Sequence, residues 1–205
     1  MQTFDFLPFT DNFSPSRSMF VITSNTRLEK SSVNNSQMVV ENPGANIVVR
    51  YVFKVIYADD GLGLRGRLNK LQGSLNTIRL FDPTYQRRGT WSGAPVVDGE
   101  GIYGTELPLR GFTPNTLIAR ASDRCQALTQ LYETTDDVIS DGTGRAVLPL
   151  ANEIRQPLSD GTPIVSDPLS LRALCRWTRP EQIQQLQGNR RLYKNVTLDF
   201  EEYMA

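Results

Sequence analysis

Apolar positions along the chain recur mainly with a period of two, and turn residues interrupt them at short intervals. That pattern predicts a mainly β protein. The turn signals are Asn42-Pro43-Gly44, Asp82-Pro83, Asp98-Gly99, Ser140-Asp141-Gly142 and Ser159-Asp160-Gly161. The clearest strand is 46–57, where Ile47, Val49, Tyr51, Phe53 and Val55 share one face. Arg50 and Lys54 lie on the other face beside Val48, Val52 and Ile56, so both faces are partly apolar and the strand reads as central. Further strands are expected at 19–24, 77–81, 117–121, 145–148, 171–177 and 195–203.

A helical period appears twice. Leu64, Leu68 and Leu71 fall at i, i+4 and i+7 within 59–72, with Asp59 or Asp60 available as N-cap and Gly73 as the residue beyond the end. A shorter helix is expected at 180–187, with Pro180 in its first turn, Ile183 and Leu186 inward and Gly188 as its stop.

The stretch 99–168 differs from its flanks, holding short apolar runs between Asp-Gly turns and little sign of helix. It reads as an inserted small β-barrel-like domain, with 1–98 and 169–205 forming one β-sandwich that carries the helix and is closed by the last strand. The alternative is a single continuous sandwich.

The 205-residue chain contains no histidine, which removes Ser-His-Asp and Cys-His nucleophile systems and imidazole-based zinc sites. Its 22 basic and 22 acidic residues balance, so there is no electrostatic reason to expect nucleic-acid or anionic-lipid binding. The N-terminal MQTFDFLPFTDNF has neither a basic n-region nor an unbroken apolar stretch, and does not read as a signal peptide. No window holds the ~18 apolar residues of a membrane span. Cys125 and Cys175 read as two buried thiols, pairing only if the fold were to juxtapose them.

Several motifs carry potential chemistry. Gly61-Leu62-Gly63-Leu64-Arg65-Gly66 fits a dinucleotide-binding G-x-G-x-x-G at the opening of a helix, but Asp59 and Asp60 put negative charge where a diphosphate would lie. Asp136, Asp137 and Asp141 crowd one loop without the spacing of a calcium-binding hand. No carboxylate pair stands out for glycoside hydrolysis. No catalytic, cofactor-binding or metal-ligating residue is therefore assigned. The candidate contact residues are the phenylalanines Phe4, Phe6 and Phe9 of an arm that ends at Phe13, Arg65 and Arg67 on the helix, and the doublets Arg87-Arg88 and Arg190-Arg191.

The order of features resembles a known family. NIVVRYVFKVI, then a leucine-patterned helix ending in RLNKLQG, then IRLFDPTYQRRGTW, is similar to a run in phage tail proteins. DGTGRAVLPLANEIRQPLSDGTPIV and the closing VTLDFEEYMA resemble later segments of the same proteins. The family is the distal tail proteins, and related minor tail proteins, of long-tailed bacteriophages. The resemblance implies a tail-tube-like β-sandwich flanked by one helix, assembled as a hexameric ring at the distal end of the virion tail. It also implies a protein made in the host cytoplasm and lacking a catalytic site. Implied neighbours are the tail tube protein, the hub or tip proteins and the tape measure protein. A competing class is a glycan- or receptor-binding β-sandwich that would use Trp91, Trp177 or exposed tyrosines as sugar platforms.

Overall fold

The structure, a computed structural model, describes all residues except 7–13, 25, 33, 42–43, 188–190 and 204–205, and the side chains of 40 and 41. In chain order its elements begin with β1 (Thr3–Asp5), β2 (Arg17–Thr23), β3 (Thr26–Lys30), β4 (Gln37–Glu41), β5 (Asn46–Tyr57), the helix α1 (Ala58–Lys70) and β6 (Thr77–Leu80). Eight short or bent strands follow: β7 (Gly93–Val97), β8 (Ile102–Phe112), β9 (Leu117–Ala119), β10 (Arg124–Ala127), β11 (Gln130–Glu133), β12 (Val138–Ile139), β13 (Arg145–Leu158) and β14 (Ile164–Val165). The chain closes with β15 (Ala173–Trp177), the 3-10 helix η1 (Pro180–Leu186) and β16 (Leu192–Glu202). The fold is mainly β. Among the described residues no helix is long and apolar enough to cross a membrane.

Six strands form one sheet in the order β1-β6-β15-β16-β5-β2. All neighbours are antiparallel except β1 and β6. The 46–57 strand lies inside it between β16 and β2, in keeping with its two partly apolar faces. Its alternation is not uniform. Ile47, Val49, Tyr51 and Phe53 are buried, but Ile56 rather than Val55 is buried beyond them. The pairing register is unbroken there, from Phe53–Val196 to Val55–Lys194, but Asn195 between them holds a left-handed φ of 54°. On the inner face lie Leu64 and Leu68 of α1, Leu71 just past its end and Leu186 of η1, in one core with Tyr51, Phe53, Trp177 and Phe200.

The helix begins at Ala58 without a side-chain cap. Asp59 and Asp60, expected as caps, stand inside its first turn, where they oppose the positive end of the helix dipole. Gly61, Gly63 and Gly66 are therefore helical residues and form no phosphate-cradling loop. Gly61 has a packing reason instead: a Cβ there would run into the ring of Tyr193 on β16.

A second core gathers residues from Trp91 to Ile164, so the region around it begins before the expected boundary at Gly99. The barrel expected here is corrected. The strands form the separate sheets β13-β8-β7, β11-β10-β14 and β12-β9. Between them run the isolated bridges Val96–Pro163 and Thr134–Leu150. Pro163 has no N–H with which to extend a ladder, and β13 shifts register against β8 after Pro149 and again after Ile154. Cys175 belongs to the first core and Cys125 to the second, both as free thiols.

Candidate interaction surface

Two features of the surface bear on what the molecule does: how the two cores are locked together, and what projects beyond them. The lock centres on Arg124 at the start of β10. Its Nη1 donates to Asp82 Oδ2 at 2.8 Å, its Nε to Glu133 Oε2 at 3.0 Å and its Nη2 to the Phe20 carbonyl at 3.2 Å. The guanidinium also lies 5.6 Å from the Phe20 ring centroid and 5.1 Å from that of Tyr85. The Tyr85 hydroxyl accepts the Arg124 backbone N–H at 2.7 Å. Burial pushes the Tyr85 phenol up to about 12, so it remains a neutral partner. On the same junction, Arg155 of β13 reaches Glu202 at 3.2 Å and bonds to the Ala45 carbonyl, and Gln126 Oε1 accepts the Arg172 N–H at 2.8 Å. Burial raises the Glu202 carboxyl despite the nearby Arg155.

Beside this lock, Asp123 is fully buried and accepts the backbone N–H groups of Arg88, Gly89 and Arg120 at 2.7–2.9 Å, with Trp91 Nε1 at 3.4 Å. It fixes the crossing from one core to the other. Neither Arg124 nor Asp123 was marked by the sequence, because their partners are 32 to 104 positions away for all but the local contacts.

What projects is the β3–β4 ribbon. All five residues of β3, and Gln37, Met38 and Val39 of β4, are exposed. Leu28 and Val39 stand directly opposite each other, 58% and 65% exposed, and Met38 is 60% exposed on the other face. Among the described residues the ribbon's two strands pair only with each other. A two-stranded hairpin standing alone is marginal in water.

The expected contact residues separate into groups. Phe6 is buried in its own core, with its ring centroid 5.3 Å from Tyr51 and 6.3 Å from Phe200, so a neighbour-facing role for it is corrected. Phe4 is half-buried against the same core. Phe9 and Arg190 lie outside the described residues. Arg65 is half-buried on α1, and Arg67 donates to the Asp5 carbonyl at 3.2 Å. Arg87, Arg88 and Arg191 are exposed; Arg88 bonds through its side chain to the Ala121 carbonyl, and the Arg191 backbone carbonyl accepts the Ala58 N–H at 3.1 Å. Two aspartates of the acidic loop serve the backbone, Asp141 accepting the N–H groups of Thr143 and Arg145 and Asp137 that of Ala121, while Asp136 accepts from the Thr135 hydroxyl. Trp91 and Trp177 are 4% and 2% exposed, so neither is a sugar platform. Comparison of the chain with known protein families and with curated protein sequences finds no match.

Proposed function

We infer that this chain is a structural protein of a phage tail, a distal tail protein whose copies associate into a ring between the tail tube and the tail-tip hub. The ring is hexameric in the family it resembles. In this reading the six-stranded sheet, covered on its inner face by α1 and η1 in place of a second sheet, is the ring-forming unit, and the region around the second core is its inserted β domain. The tail tube, the hub or tip proteins and the tape measure protein are its neighbours at the distal end of the virion. The protein works by shape and performs no catalysis.

The observation that carries the reading is the β3–β4 ribbon. Its opposed Leu28 and Val39 and its Met38 face solvent. Covering a Leu- or Val-sized side chain is worth about 1.5–3 kcal/mol, a gain this ribbon does not draw from the described residues of its own chain and would find against another. The resemblance supplies the identity of that chain, a further copy. Sedimentation velocity and negative-stain microscopy of the full chain test this. The wild type should form closed rings, and the Leu28→Lys, Val39→Lys double variant should sediment as a monomer with unchanged melting temperature. A wild type that stays monomeric at high concentration, or a double variant that still assembles, would sink the reading.

A further inference from the structure

Beneath the turn joining β10 to β11, a groove of about 300 Å³ opens between the outer face of the six-stranded sheet and the region around the second core. Its walls include Thr3, Arg79, Gln126, Thr129, Arg172 and Leu174. Arg79 and Leu174 are cross-strand partners and Arg172 lies two residues from Leu174, so both arginines belong to one wall. The opposite wall is held in place by Gln126, which accepts the Arg172 N–H at 2.8 Å and donates to the Leu128 carbonyl at 3.1 Å. Leu128, 59% exposed, sits at the turn beside the opening.

The charges here are not balanced locally. Among the described residues no carboxylate lies within 4 Å of Arg172, whose guanidinium rests 4.8 Å from the Phe81 ring centroid and donates to its neighbour's carbonyl. Among the described residues Arg79 pairs only with Asp5, at 3.6 Å, with both side chains more than half exposed. Charge of the other sign stands at the far end of the same hairpin. Beyond β11 come Asp136 and Asp137, exposed and likewise without a cation within 4 Å among the described residues. Along an extended strand the two ends lie roughly 20 Å apart, so the acidic loop cannot reach the groove of its own chain. A chain of zero net charge with two such separated patches is complementary to itself head to tail, and head-to-tail contacts close into rings when the rotation permits.

We propose that the Arg79–Arg172 groove receives the 135–137 loop of a neighbouring copy, with Asp136 and Asp137 set against the two arginines. This rests on the homo-oligomeric reading above and names a contact separate from the ribbon.

Charge exchange tests it on the full chain. Arg79→Glu with Arg172→Glu reverses the groove. Asp136→Arg with Asp137→Asn reverses the loop while leaving an oxygen for the Ala121 N–H. Each pair alone should raise the concentration needed for assembly by about tenfold or more, as close interfacial charge pairs do, and the four substitutions together should restore it. Arg79→Gln with Arg172→Gln is the gentler variant should the reversed groove fail to fold; it should remove the dissociating effect of 0.5 M NaCl. Assembly unaffected by either reversal, or no recovery in the combined variant, would overturn the groove contact while leaving rings and the ribbon contact standing. Arginine-dependent stabilisation by inorganic phosphate, with assembly indifferent to the reversals, would make the groove a small-anion site and overturn it too. A wild type that forms no rings would sink both readings.

Discussion

Asp82 and Arg124 meet at 2.8 Å between the two cores, with only 11% and 13% of their side chains exposed. One comes from the loop after β6 and the other from the first position of β10, so the pair ties a region of the six-stranded sheet to the region inserted after it. Removing Arg124 takes away the counter-charge of the buried Asp82 carboxylate. Arg124→Ala should therefore cost about 3 kcal/mol, read as a shift in the urea midpoint. An unchanged midpoint would mean that the two cores are held by other contacts.

The same pair sets an acid limit. Burial raises the Asp82 carboxyl, but hydrogen bonds from Ser18, Thr84 and Arg124 together outweigh it and hold the group below its usual range. A depressed folded value means that the stabilisation is present above the unfolded value of about 4 and is lost as pH falls through the folded one. Asp82→Asn should lower stability at pH 7 and flatten the acid limb of a stability–pH profile. A parallel profile would assign the acid limb to other carboxylates.

Two glutamines stand in for a missing strand. Where β15 ends at Trp177, the outer edge of β16 is closed by side chains of η1: Gln182 Oε1 accepts the Asp199 N–H at 2.9 Å and Gln185 Oε1 the Thr197 N–H at 2.8 Å. Gln182 is buried, accepts Trp177 Nε1 at 3.3 Å and donates to Asp199 Oδ2 at 2.7 Å. Gln182→Ala should cost about 2–3 kcal/mol in thermal or urea unfolding, by leaving buried groups unsatisfied. Gln185 is exposed, so Gln185→Ala should cost no more than about 1 kcal/mol.

The glycines of α1 separate packing from propensity. Nothing stands within 4 Å of a Cβ at Gly63 or Gly66. Each replaced by Ala should gain up to about 1 kcal/mol from helix propensity. At Gly61 the same change drives a methyl into the Tyr193 ring and should destabilise by about 1–3 kcal/mol. Melting temperatures of the three single variants would decide the matter, and a stabilised Gly61→Ala would show that α1 can lift away from β16.

Both thiols should be silent until unfolding. Burial pushes Cys125 up to about 12, with Asp123 adding to the effect, and pushes Cys175 well above the ordinary thiol range. Raised folded values mean that the stabilisation is full below about pH 8.5 and fades only as pH rises toward the folded value of each. An aromatic disulfide reagent at pH 8 should titrate neither thiol in the native chain and two in denaturant. Rapid native labelling of Cys125 would show that the second core opens.

Period-two alternation and the i, i+4, i+7 leucines made the central strand, the closing strand and α1 legible from the sequence, because a local period reports which residues share a face. The histidine-free composition likewise excluded whole classes of chemistry without any geometry. The strands of the second region were mostly illegible, since runs of two to five residues between turns carry too little periodicity to register, and β8 and β13 are bent and slip register. Only the tertiary structure decided that Phe6 fills its own core, that both tryptophans are buried, and that Arg124 bridges the cores. It also decided that the β3–β4 ribbon stands uncovered and that Arg79 and Arg172 share a groove. The reason is physical: burial and charge pairing are set by residues far apart along the chain, and one sequence encodes those partners only through the packing that brings them together.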